Sequence, residues 1–161
     1  MENIFRETGK CPKGGEVRIY AKNLNGEISK YSNYRHSLLE FLLSQNTAIK
    51  VIIDEEPTNV VTETNAFNLL TTFSKTQKLN GKIHLRKVSN PEKVAHLVQD
   101  QLQFSDVHFA VSTENMYRFE IDSALHFAEC SFNGPSMSQQ LTQVFDTMFS
   151  NNQGNYTTPI V

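Results

Sequence analysis

The residues best suited to chemistry in this 161-residue chain are a histidine, an arginine and a glutamate in its last third. His108 stands in a run where Val107, Phe109 and Val111 alternate with His108, Ala110 and Ser112. A two-residue period of this kind predicts a strand. Tyr117, Phe119 and Ile121 then alternate with Arg118 and Glu120, and the same period sets Arg118 and Glu120 on one face of the next strand. If the two strands pair, His108, Arg118 and Glu120 converge. An imidazole there can serve as nucleophile or general acid–base. It can equally be a satisfied histidine beside a structural ion pair, and the spacing leaves both readings open.

The other candidates are weaker. His36 and His96 fall on polar or mixed helix faces, His84 shares a strand face with Arg86, and His126 has no evident partner. Asp54, Glu55 and Glu56 follow an apolar run, and ligands often sit beyond the ends of parallel strands. We read this cluster as a solvated loop before Pro57 rather than a metal site. The chain has seven glycines and no phosphate-cradling glycine loop, no Gly-x-Ser-x-Gly elbow and no His-Glu-x-x-His pair. Cys11 and Cys130 make neither a disulfide framework nor a zinc site. No metal or cofactor is expected.

The elements that must position these residues follow from periodicity. Val17, Ile19 and Ala21 predict a first strand over 17–22, and Asn25-Gly26 a turn. Ser32 or Asn33 is expected to cap a helix over 33–45, with Tyr34, Leu38, Phe41 and Leu42 on one face. Residues 48–53 read as a buried parallel strand. A helix over 63–79 stopped by Asn80-Gly81, and a strand over 82–88, come next. Ser89 and Glu92 form a capping box for a helix with Val94, Leu97, Val98 and Leu102 inward. After the two strands around His108 and Arg118, residues 125–132 form a further extended segment. Ser136 and Gln139 cap a last helix striped with Leu141, Val144, Phe145, Met148 and Phe149. The alternation predicts an α/β fold, a mixed sheet with helices on both faces. Residues 1–15 read as a loose lead-in, 16–149 as one domain and 150–161 as a flexible tail.

Composition narrows the partners. Fifteen Lys and Arg against seventeen Asp and Glu give a net charge of −2, so binding of nucleic acid by bulk charge is not favoured. A local basic patch of Lys82, Arg86 and Lys87 remains. No apolar run reaches the roughly 18–20 residues of a membrane span, and the first twenty residues lack a signal-peptide core. A soluble, cytoplasmic domain without membrane contact is expected.

The stretch VHFAVSTENMYRFEIDSALHFAECSFNGPSMSQQLTQVFDTMF, residues 107–149, resembles the last third of a phospholipase D-like domain. In that superfamily a strand carries His-x-Lys with an Asp five residues beyond the Lys, followed by a hairpin, a strand, a turn and an amphipathic helix ending in a bulky aromatic. Ser131-Phe132-Asn133-Gly134-Pro135 takes the place of the turn here. The earlier element order fits too, so the resemblance covers most of 16–149, as a match of pattern rather than identity. The variant HFxVxxxxxYRFExD is similar to a divergent bacterial branch.

The resemblance places His108 at the nucleophile, Ala110 where the phosphate-clamping lysine belongs and Asn115 where the aspartate belongs. Loss of such a clamp costs ~100- to 1000-fold in rate. Arg118 can grip phosphate in its stead, and Glu120 can neutralise Arg118. The resemblance thus implies a non-catalytic binding or regulatory module, beside a larger protein partner in a bacterial stress or defence system. It also implies a homodimer through the His108 strand region, since the superfamily works with paired halves and this chain matches one. A divergent phosphodiesterase or nuclease with His108 as nucleophile is the first alternative. A sensor that binds a small phosphate-bearing ligand through Arg118 and His108 without cleaving it is the second. Arg118, Glu120 and Asn115 are the binding candidates.

Overall fold

The computed structural model describes residues 1–22, 24, 31–55, 66–76, 78–104, 107–122 and 127–151. Six strands form one mixed sheet in the order β3-β2-β1-β4-β5-β6. They are β1 (Glu16–Ala21), β2 (Ala48–Ile53), β3 (Lys82–Lys87), β4 (His108–Ser112), β5 (Tyr117–Asp122) and β6 (Phe127–Ser131). Five helices accompany them: α1 (Glu2–Gly9), α2 (Ser32–Leu43), α3 (Ala66–Ser74), α4 (Pro91–Leu102) and α5 (Pro135–Asn151). β1, β2 and β3 run parallel, and β4, β5 and β6 form an antiparallel meander joined to β1 through β4.

The two-residue period of the strands divides the core into two clusters, one on each face of the sheet. Val17, Ile49, Val51, Ile53 and Ala110 pack with α1, α2 and α3 through Phe5, Leu38, Phe41 and Leu70. Tyr20, Ile52, Phe109, Val111 and Phe119 point the other way, against α4 and α5 through Val94, Val98, Leu141 and Phe145. The α/β sheet with helices on both faces is therefore the observed architecture.

The N-terminal residues depart from the expected loose lead-in. Residues 2–9 form helix α1, and Phe5 is fully buried with its ring 5.8 Å from that of Tyr34 and 5.7 Å from that of Phe41. One aromatic and one aliphatic neighbour, Ile4, suffice to seat a two-turn helix on a surface that already exists. Too few apolar positions precede residue 16 for periodicity to show it.

Helix ends also differ from the sequence reading. Tyr31 rather than Ser32 or Asn33 occupies the N-cap of α2, and its side chain does not cap the helix. Asn90 rather than Ser89 caps α4, its Oδ1 accepting from the Lys93 amide at 3.0 Å, with Pro91 in the first turn. Helix α3 ends at Ser74, before Asn80-Gly81, and its expected start at residue 63 lies outside the described residues. Helix α5 opens at Pro135, before Ser136, and the Ser138 amide donates to the Gly134 carbonyl at 2.9 Å. It continues through Ser150 to Asn151, so the tail does not begin at 150; residues 152–161 lie outside the described part. No described helix is long and apolar enough to cross a membrane.

Candidate functional site

Strand pairing brings the sequence candidates together. In the β4–β5 ladder His108 stands directly opposite Glu120, and Ala110 directly opposite Arg118. Opposed residues of antiparallel strands project from the same face with Cβ atoms roughly 5 Å apart. His108, Ala110, Arg118 and Glu120 thus form one patch on the face that carries α1. Arg118 Nη1 donates to Glu120 Oε2 at 2.7 Å, with the carboxylate side chain only 12% exposed and the arginine 33%. His108 is half-buried, and its ring stands edge-on to that of Tyr20 at 6.4 Å.

Ala110 is buried in the cluster that includes Ile4 and Phe5 of α1. A lysine there would push its ammonium into packed apolar side chains, where charge is costly. The start of α1 also reaches Arg118: burial, and then the nearby Arg118 charge, hold the Met1 amino group below its ordinary value. The space beside Ala110 is thus filled from one side by α1, and on the other Glu120 pairs with Arg118.

Asn115 does not join this patch. It lies in the turn beyond the far end of β4, more than roughly 13 Å along the strand from His108 at about 3.3 Å per residue. Its φ of 57° is left-handed, a conformation asparagine tolerates better than most residues. Its carbonyl accepts from the Gly134 amide at 2.9 Å, which ties the β4–β5 turn to the start of α5. A Cβ on Gly134 would lie 2.5 Å from the Tyr117 ring, so the Asn133-Gly134-Pro135 turn needs its glycine for this approach. The resemblance matched this turn; the fold gives it a packing role.

No family model matches the chain, and no curated protein matches it.

Two further groups bear on function. At the basic strand edge, Arg86 lies 3.6 Å from the centroid of the Phe149 ring and donates to the Phe149 carbonyl. Its guanidinium is engaged in holding α5, which reduces the basic patch expected from Lys82, Arg86 and Lys87. His84, on the same strand, is held below its ordinary value first by burial and then by the positive charge of Lys50.

The second group stands where the parallel strands end. The Tyr20 hydroxyl lies 3.0 and 2.9 Å from the two carboxylate oxygens of Asp54, and the Lys22 ammonium lies 3.8 Å from Glu55. A cavity of about 350 Å³ opens there between the sheet and α4. Sequence reading reached Asp54 and Glu55 as a loop but missed Tyr20 and Lys22. The signal was present: β1 and β2 are adjacent parallel strands, so residues just after both must meet. Among the described residues no group of three or more His, Cys, Asp or Glu is arranged to hold a metal ion. Glu56 and His126 lie outside the described residues.

Proposed function

We propose that the chain is a non-catalytic binding module of the phospholipase D-like kind that works as a two-fold dimer. The observation that carries this reading is Ala110, buried opposite an arginine already engaged by Glu120. Phosphoryl transfer needs positive charge aimed at the developing phosphoryl oxygens. In this patch the Arg118 guanidinium is already paired with Glu120 at 2.7 Å, so part of its charge is met before any phosphate arrives.

The dimer reading draws support from the open end of the sheet. β6 is an edge strand, and on the face shared with Arg118 its Cys130 is exposed and Ala128 half-buried. A second copy seated across this end would bring two His108 patches towards one axis. The regulatory role beside a larger partner remains part of the same proposal.

Two measurements on the purified chain test it. Incubation with bis-p-nitrophenyl phosphate, DNA, RNA and phosphatidylcholine should give no turnover that depends on His108. Light scattering after gel filtration should give twice the chain mass. Turnover abolished in His108→Ala would overturn the non-catalytic reading, and a monomer at tens of micromolar would overturn the dimer.

A further inference from the structure

The three parallel strands set basic side chains side by side. Register puts Arg18 of β1 beside Lys50 of β2, and Lys50 beside His84 of β3. Neighbouring strands stand about 4.8 Å apart. Two residues back on the same face, roughly 6.6 Å along the strands, come Glu16 on β1 and Lys82 on β3, and two residues on comes Arg86 of β3. All share the face of Tyr20 and Ile52, which carries α4 and α5. The His108 patch lies on the opposite face, where Ala110 packs in the α1 cluster.

Charge does not close on this surface. Glu16 lies 2.8 Å from both Arg18 and Lys50, and Asp146 of α5 lies 2.9 Å from Arg18. Arg86 lies 3.6 Å from the centroid of the Phe149 ring and donates to the Phe149 carbonyl, contacts that hold the guanidinium without neutralising it. Lys82 is exposed and has no ion-pair partner among the described residues. Arg18, Lys50, Lys82 and Arg86 against Glu16 and Asp146 leave +2, in a chain whose total is −2. The same field acts on the His84 ring, which partial burial and then Lys50 hold below its ordinary value, with Lys82 and Arg86 adding and Glu16 opposing. Lysine and arginine offer donors only, so the surface lacks an acceptor-rich anion. A monocarboxylate meets half the excess charge, whereas a phosphoryl dianion meets it all and brings three acceptor oxygens.

We propose that Lys82 and His84, in the field of Lys50 and Arg86, bind a small phosphoryl anion at the amino ends of the parallel strands. Inorganic pyrophosphate and the phosphate chain of a nucleotide both present this chemistry. The arriving anion reverses the field at His84, so the imidazole takes up a proton and becomes a second charged donor beside Lys82. The site depends neither on the dimer nor on the absence of catalysis at His108.

Calorimetric titration of the full chain at neutral pH and low ionic strength, with sodium pyrophosphate, adenosine diphosphate, sodium acetate and an oligothymidylate, tests it. Pyrophosphate should bind saturably in the millimolar range or tighter, with acetate about tenfold weaker or more, and added sodium chloride should weaken both. Equal affinity for adenosine diphosphate assigns the site to free phosphate chains, and tighter binding assigns it to a nucleotide. Lys82→Gln, a change at an exposed position, should weaken pyrophosphate about tenfold, as loss of a charge-assisted hydrogen bond does. In sodium sulfate, the His84 ring resonance should titrate at higher pH than in sodium chloride of equal ionic strength. Absence of pyrophosphate binding, full affinity in the folded Lys82→Gln variant, or an unmoved His84 titration would each overturn the proposal. So would tighter binding of the oligothymidylate, or pyrophosphate binding lost in Arg118→Gln, which would put the anion at the His108 patch.

Discussion

Strand β2 buries Ile49, Val51, Ile52 and Ile53 completely, whereas β6 leaves Phe127 65% exposed and places no side chain in either core cluster. In the parallel half β1 and β2 are covered on both faces, as parallel strands require, while the edge strand β3 leaves Lys82 and His84 exposed. In the antiparallel half β4 and β5 are covered on the face of α4 and α5, while β6 leaves Phe127, Glu129 and Cys130 exposed. The titratable candidates His108, Arg118 and Glu120 stand in the second half. A sheet can be thoroughly packed at one end and present polar side chains at the other because each strand's two faces are set independently.

The largest expected effect tests whether α1 belongs to the packed half. Phe5→Ala should cost about 4 kcal/mol, as removal of a buried phenyl ring usually does; chemical denaturation measures it, and a loss near zero would return residues 1–15 to a loose lead-in. Next comes the border between the halves. Ala110→Lys should destabilise the fold by about 3 kcal/mol, since it buries an unpaired ammonium. It should also gain no phosphodiesterase activity. A stable, active Ala110→Lys variant would show that the α1 side of β4 opens readily.

Within the antiparallel half, Asn115→Ala should cost about 1 kcal/mol because alanine resists a left-handed φ, and Asn115→Gly should be close to neutral. Equal losses in thermal unfolding would instead point to the asparagine side chain. On the open edge, Phe127→Ser should stay within about 0.5 kcal/mol in monomer stability. A larger loss confined to concentrated samples would place Phe127 in a dimer contact.

The smallest effect is a pH dependence. His84 in the folded chain lies below its ordinary value of 6.5, by burial and by Lys50. The folded state therefore favours the neutral ring, so its contribution to stability is complete above pH 6.5 and is lost as pH falls through the lower folded value. His84→Asn should flatten the stability profile on the acid side of 6.5, and an unchanged profile would remove His84 from that account.

Much of this architecture is legible in the sequence where one face repeats. The run 48–53 is β2 to the residue, and the expected 82–88 strand ends one residue earlier, at Lys87. The His108–Arg118–Glu120 patch follows from alternation plus pairing, because opposed residues in a meander share a face. What alternation could not give is which side chains become covered. Ala110 and Ser112 alternate with apolar residues yet are themselves buried, and over Ala110 it is α1 and its cluster that close. Nor do cap residues reveal themselves by type alone: Ser89 and Asn90 are both good N-caps, and Pro91 decides between them by taking the first helical position. Tyr20 gave no chemical signal in sequence because its partner, Asp54, is 34 residues away.

Strand β1 has one more consequence, for how the molecule comes together. It is flanked by β2 on one side and β4 on the other, and its Val17 pairs with Ser112, far along the chain. The meander β4–β5–β6 with α5 can assemble from near neighbours, but the seam between β1 and β4 closes a loop of most of the domain, a slow and entropically expensive step. Amide hydrogens along that seam, such as the Thr113 N–H on the Glu16 carbonyl at 3.0 Å, should then exchange only when the whole chain opens, while those of β6 exchange by local fraying.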